Sequence, residues 1–365
     1  MATGSATPTP GPPPGHQRVR EVMKAFRPAR KFKPSDSKTS VTSLDFDDTG
    51  ELAIIARDDD TLQLYNCAEG KHAKELKSQK YGVHLARFSH HAQSVIYAST
   101  KIDDTIRFLS VHDNSFIRYF KGHTDKVTSI CLSPADDTFI SAARDDTVML
   151  WDLRSPNYQG KLNVHAPYLT AIDPSASVIA IASPGTHTIL LYDMRNYDNP
   201  PFATFDLQSI EARYLGQHGG EWTKMEFTND GLSILISTTG CGHFVIDSFT
   251  GDIKIFAYRK AGHSGRLPPS RSPAGRPDGS SPTLGQGDVC LSPDGQFLLG
   301  GSAENGILVW DIGRGKPSSN FVLEPMVTLP CNSKAAIVGY NPRTNLLASA
   351  DRDFFFWQPD SDLMM

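Results

Sequence analysis

Short apolar runs of five or six residues, each closed by a polar turn, recur from residue 41 almost to the end of the chain. Residues 41–46 (VTSLDF), 127–132 (VTSICL) and 336–340 (AIVGY) are of this kind, with β-branched or aromatic residues followed at once by Asp, Asn, Ser or Pro. Such runs read as strands. Helical periodicity is nearly absent, so the pattern predicts an all-β chain.

One unit of this pattern repeats. The stretch 122–152, GHTDKVTSICLSPADDTFISAARDDTVMLWD, has echoes along most of the sequence. Its core is an Asp, one turn residue, often Thr, three strand residues, and then an aromatic or aliphatic anchor. Asp59-Asp60-Thr61 leads to Tyr65, Asp103-Asp104-Thr105 to Leu109, and Asp145-Asp146-Thr147 to Trp151, while weaker copies end at Tyr192, Ile246, Trp310 and Trp357. The successive anchor spacings are 44, 42, 41, 54, 64 and 47 residues. A period of roughly 40–45 residues is that of a four-stranded propeller blade, so seven copies predict a seven-bladed propeller. The two long intervals require insertions, placed by composition at 195–220 and 258–287. The second is rich in Gly, Pro, Ser and Arg without hydrophobic period and is expected to be mobile.

Closure of the ring imposes a further condition. After Trp357 only eight residues remain, too few and too polar for an outer strand. The missing strand is therefore expected from the N-terminal side, at 29–33, where it removes a free sheet edge. The organisation read from the chain is a disordered Pro/Gly-rich extension over 1–24, a propeller over 25–360 and a short tail over 361–365.

Composition changes this picture only at its margins. With 36 basic and 40 acidic residues the formal net charge is −4, which gives no general nucleic-acid signature and confines any polyanion contact to a local patch. The five cysteines, at 67, 131, 241, 290 and 331, are odd in number and contain no CxxC pair, as expected of reduced thiols in cytoplasm or nucleus. No stretch approaches ~18 consecutive apolar residues, and the N-terminus has no apolar signal region, so neither membrane insertion nor secretion is expected.

Candidate chemistry is sparse. His123, Ser141, Asp145 and Trp151 include the residue types of a Ser-His-Asp triad. Their place in the repeat argues for a structural tetrad instead, in which a loop histidine, a strand serine, the turn Asp and the Trp hydrogen-bond to one another. A GxSxG nucleophile elbow is missing from the sequence. Gly240-Cys241-Gly242 lacks the third glycine of a dinucleotide loop, and the histidines never fall at metal-ligand spacing. No catalytic residue, cofactor or metal is expected. Four turns between second and third strands carry a base beside the turn Asp: Arg57, Lys101, Arg144 and Arg352. Either these are ordinary solvated turn residues or they converge at the channel mouth as a cationic ring for a phosphorylated or acidic tail.

Several stretches carry a closer resemblance. KYGV at 80–83, KIDDTIR at 101–107, LSVHDN at 109–114, IRYF at 117–120, SPADDTFIS at 133–141, WDLRSPNYQG at 151–160 and PFATF at 201–205 are similar to the Swd2 family, over roughly 25–360. The resemblance implies a nuclear, non-enzymatic WD-repeat scaffold of the COMPASS histone methyltransferase complex. It also implies partners in the fungal cleavage and polyadenylation factor with its phosphatase, and a link to the phosphorylated C-terminal repeat of RNA polymerase II. Direct sequence-specific nucleic-acid binding is not expected. The Pro-rich N-terminus and the 258–287 insert are not part of that pattern, although the insert carries the Ser-Pro pairs 272–273 and 281–282 as candidate proline-directed phosphosites. Against the scaffold stand a phosphopeptide reader, motivated by the turn bases, and an enzyme, motivated only by the co-occurrence of Ser, His and Asp.

Overall fold

Each apolar run forms a strand, and in the first five blades four consecutive strands pair antiparallel before the next sheet begins. The arrangement appears in a computed structural model that describes residues 14–36, 38–165, 169–216, 220–260, 287–302 and 304–363. Among these residues seven such sheets follow one another, and their first strands line a common axis. Those inner strands are Val41–Phe46, His84–Phe88, Val127–Leu132, Leu169–Ile172, Trp222–Phe227, Val289–Leu291 and Ile337–Tyr340. The fold is the expected seven-bladed propeller, and every anchor read from the repeat lies in the third strand of its blade.

Burial explains why the middle strands were easiest to read. Second and third strands are covered by neighbouring blades on both faces, so Leu52–Arg57 and Thr138–Ala143 are almost wholly buried. The outer strand Lys71–Lys77 is mostly exposed and polar. Apolar clusters fill the wedges between blades, and the four tryptophans, Trp151, Trp222, Trp310 and Trp357, are all fully buried.

The ring closes through the N-terminal side. Phe26–Phe32 pairs antiparallel with Phe354–Pro359, from Phe26 opposite Pro359 to Phe32 opposite Phe354, with an irregularity after Pro28. The closing strand thus begins three residues before the expected 29–33. Phe26 is completely buried, and Phe32 packs on Phe354 at 5.8 Å and on Tyr65 of blade one at 4.6 Å between ring centroids. The same strand therefore completes blade seven and seals it to blade one.

One expectation is corrected here. The extension expected to be disordered through residue 24 holds a helix, Pro14–Ala25. Composition hid it, because its stabilisation is tertiary: Val19, Val22 and the buried Met23 pack on the cluster between blades six and seven, and Arg20 forms a 3.2 Å ion pair with Asp311. At the far end, the expected tail begins with the short 3-10 turn Ser361–Leu363. The mobility expected of the 258–287 insert falls mostly on residues outside the described set, as does the start of the N-terminal extension.

The 195–220 interval contains the outer strand of blade four, Ala203–Asp206, and a helix, Gln208–Tyr214. Blade five has an additional strand that the repeat did not signal. Val322–Leu323, from the loop before the outer strand of blade six, pairs in parallel with Ile253–Tyr258. Tyr214 holds this loop by donating its hydroxyl to the Asn320 carbonyl at 2.7 Å.

Closure predicts a contrast between two truncations. Removing residues 1–13 should leave a monodisperse protein with an unchanged unfolding temperature, whereas removing residues 1–36 should leave a three-stranded, open-edged blade that aggregates. Light scattering and a thermal scan decide it, and equal behaviour of the two truncations would contradict the assigned closure.

Candidate functional site

The repeated Asp-Asp-Thr turn shows how one local device serves different ends. In blades one and three the first Asp accepts from the Thr backbone N–H at 3.2 Å and from the Thr hydroxyl at 2.6 Å. The second Asp takes a positive φ, 64° at Asp60 and 58° at Asp146, a left-handed conformation that Asp tolerates better than most residues. The turn closes itself, and the remaining acceptor capacity of the first Asp is free to bind elsewhere.

In blade three that capacity meets His123. The imidazole Nδ1 lies 3.2 Å from the Asp145 carboxylate, and its Nε2 lies 2.7 Å from Ser141 Oγ, which also accepts from Trp151 Nε1 at 2.8 Å. The Thr124 backbone N–H donates to the same carboxylate at 2.8 Å. Gly122 is required beside this array, since a Cβ there would lie 2.9 Å from the Trp151 ring. The four expected residues are thus brought together in one hydrogen-bonded chain. The His123 side chain is 1% exposed and that of Asp145 7%, so a substrate has no access to the pair. Burial by itself would raise the pKa of Asp145, but hydrogen bonds from His123, Thr147 and the Thr124 N–H outweigh it and hold the carboxyl well below the ordinary range.

Other blades keep part of the array and substitute the rest. In blade one Asp59 faces Arg57 at 3.5 Å, and in blade two Asp103 binds the buried Arg107 through both guanidinium nitrogens, at 2.8 and 3.1 Å. Trp357 donates to Ser349 at 2.9 Å, while Trp310 has Gly300 at the serine's position and donates instead to the Tyr258 carbonyl at 3.0 Å.

The four turn bases do not form a ring. They sit in equivalent turns of blades seven, one, two and three, an arc over part of the face. Arg57 is buried in its own hairpin, and Lys101 is bound by the Asp60 carboxylate and the Gln79 carbonyl. Arg144 is half-buried and Arg352 exposed, and neither has an ion pair among the described residues. The free basic charge of the set is therefore confined to Arg144 and Arg352.

Several polar groups escaped the sequence reading. Side chains of the inner strands bond to the backbone of the next blade: Ser43 Oγ accepts from Ala86 N at 3.0 Å, Asp45 from Phe88 N at 2.8 Å, Ser129 Oγ from Thr170 N at 3.1 Å, and Glu226 from Leu291 N at 3.0 Å. Ser43 and Ser129 occupy the same position of VTSLDF and VTSICL, a signal that comparison of the repeats contained. The channel these strands enclose widens at one end into a cavity of about 440 Å³. There burial raises the Asp45 carboxyl to about 6, against the opposing effect of Arg87.

Two further buried clusters flank the insertions. Arg259, completely buried, pairs with Asp288 and donates to the carbonyls of Thr238 at 2.8 Å and Gly240 at 3.0 Å, joining the chain on either side of the insert. Burial and the Arg259 charge push the neighbouring His243 down to about 3, so it stays neutral. Glu211 of the second helix accepts from Trp222 Nε1 and lies 2.7 Å from His187 Nδ1, binding blade four to blade five.

Comparison with known proteins agrees with this architecture. Residues 114–152 and 283–311 match the family described as WD domain, G-beta repeat. Over 94% of its length the chain is 35% identical to WD repeat-containing protein 82 of Drosophila melanogaster, covering 98% of that protein. It is 35% identical to Set1 complex component swd2 of Schizosaccharomyces pombe, over 92% of this chain and 98% of the relative. It is 31% identical to COMPASS component SWD2 of Saccharomyces cerevisiae, over 92% of this chain and 96% of the relative.

The two kinds of buried acid predict different stability losses. Asp145→Ala should cost about 1–3 kcal/mol by leaving buried donors unsatisfied, and Asp288→Ala about 3–5 kcal/mol by stranding a buried guanidinium. The lowered Asp145 pKa means its contribution is complete above the unfolded carboxylate value of about 4 and is lost as pH falls below it. Urea unfolding at pH 7 and pH 3 should show the Asp145→Ala difference shrinking at the lower pH, and an undiminished difference would contradict the tetrad's assignment.

Proposed function

The chain belongs to the Swd2 family of WD-repeat proteins, and we propose that it is a non-catalytic scaffold subunit of a nuclear histone lysine-4 methyltransferase complex. The observation that carries this reading is identity of 31–35% over nearly the whole length of relatives named as components of the Set1 complex and of COMPASS. The site geometry is consistent with it. The Ser-His-Asp set is sealed beneath its turn and spent on holding Trp151, so Ser141 does not face a cleft. What the propeller offers is a set of fixed surfaces on which a catalytic subunit and its neighbours assemble. The proposal extends, through the same family, to a second assembly acting in transcription termination and mRNA 3′-end processing with a polyadenylation factor and a phosphatase.

A second reading, a reader of the phosphorylated polymerase tail, is favoured by one observation. Arg144 and Arg352 lie on one face without ion pairs among the described residues, and guanidinium groups suit bidentate phosphate contact.

Purification of the tagged chain from nuclei separates the readings. The scaffold reading predicts stoichiometric recovery with a SET-domain methyltransferase, and loss of nucleosomal lysine-4 methylation when the chain is depleted. Recovery without any methyltransferase would contradict it. A phosphorylated tail peptide that binds more tightly than its unmodified form, and loses that preference in Arg144→Ala/Arg352→Ala, would establish the reader activity.

A further inference from the structure

Three exposed apolar side chains lie at one corner of blades four and five. Phe249, Phe202 and Leu232 are 73%, 60% and 50% exposed. All three lie at the end of the blades opposite the Asp145 turn. Phe202 leads into the outer strand of blade four, while Leu232 and Phe249 occupy the two turns of blade five at that end.

These turns are held firmly. Asp247 accepts from the backbone N–H groups of Phe249 at 2.8 Å and Thr250 at 3.1 Å, so the segment presenting the phenyl ring is closed upon itself. The two blade-five turns are tied by Ser248 Oγ, which donates to the Gly231 carbonyl at 2.6 Å, and by Lys254 Nζ, which donates to the Leu232 carbonyl at 2.7 Å. Blade four closes on them where the Phe205 ring meets Gly251. A Cβ there would lie 2.5 Å from that ring, and the φ of +75° independently favours glycine. The apolar groups are consequently presented in a fixed arrangement, with the backbone beneath them already ordered.

The surrounding charge is acidic. Asp198, Asp230 and Asp252 are exposed in the same three loops as the apolar side chains and have no ion pair among the described residues, against a single exposed arginine there, Arg195. The nearest lysine, Lys254, is already bound to Asp247 at 3.0 Å. An apolar centre with a polar rim is the composition of a protein-binding surface, and the sign of the rim selects a cationic partner.

We propose that this corner of blades four and five docks a partner subunit through a segment whose aromatic or aliphatic anchors are flanked by lysine or arginine. The proposal rests on the scaffold reading for the existence of a partner subunit, and on the corner itself for the chemistry of the contact. Pre-ordered turns reduce the conformational entropy lost on binding, which favours a short segment as the occupant. A second copy of the chain would bring the same acidic rim against itself and is disfavoured for that reason.

Two arms test this with the full-length protein. In the first, the fluorescence anisotropy of a synthetic amphipathic peptide of about 20 residues, with Leu and Phe on one face and Lys on the other, is compared with that of a Glu counterpart. The Lys peptide should bind about tenfold more tightly, Phe202→Ser/Phe249→Ser should abolish that binding, and Asp198→Lys/Asp252→Lys should reverse the preference. Because all four positions are exposed, the variants should keep the wild-type unfolding temperature. In the second arm, the same variants are tested for entry into a complex reconstituted with the methyltransferase catalytic subunit. Failure of the wild type to enter, with peptide selectivity intact, overturns the scaffold reading and leaves the corner's chemistry standing. Equal binding of both peptides, unchanged binding in folded Phe202→Ser/Phe249→Ser, or concentration-dependent dimerisation through the corner overturns the docking proposal.

Discussion

A propeller of this kind depends on one contact, the pairing of Phe26–Phe32 with Phe354–Pro359, because the four antiparallel strands of each other blade come from one continuous stretch of chain. Without it blade seven would have three strands and an open edge, and Phe354 and Phe356 would lose the cover of Phe32. Residues more than three hundred positions apart must meet before the ring exists, so the entropy of closing that loop is met only when the remaining blades are in place. Phe26, completely buried, stabilises the closure by roughly 1.5–3 kcal/mol, and the partly buried Phe32 adds less. The Pro14–Ala25 helix extends the same seal onto blade six through Met23 and Arg20.

Closure also makes the inter-blade polar bonds effective. Ser43, Asp45, Ser129 and Glu226 each fix the inner strand of a following blade. Arg259 with Asp288, and Glu211 with Trp222, do the same near the longer connections. A buried guanidinium or carboxylate is tolerated only where several partners surround it, and these clusters occur where the regular repeat is interrupted. The surfaces of the protein are therefore carried on a frame that changes little between neighbouring blades. Such a frame suits assembly, in which several partners must be held at fixed separations, better than it suits a reaction requiring a site to close over a substrate.

How much of this was legible in the sequence depended on whether the cause was local. The third-strand anchors and the Asp-Asp-Thr turns were legible because the turn satisfies itself within three residues, and Trp151 and its tetrad followed from the repeat. The Pro14–Ala25 helix was not, since its apolar face is short and meaningful only against blades six and seven. Arg57 and Arg144 looked equivalent in sequence, yet one is buried beside Asp59 of its own turn and the other is half-buried without a salt bridge among the described residues. The extra strand Val322–Leu323 is only two residues long and pairs with a blade other than its own, so no periodicity announced it. Phe202, Leu232 and Phe249 belong to three separate turns, and only the blade packing shows that they share one corner.

The central claim, that the closing strand is an integral part of the cooperative fold, is tested most directly by native-state amide hydrogen exchange on the full chain. If the account is right, the hydrogen-bonded amides of Phe26–Phe32 exchange at the same slow rate as those of Leu347–Ala350 in the middle of blade seven, with the free energy of global unfolding. Exchange of Phe26–Phe32 by a separate, low-energy opening while the blade remains protected would contradict it.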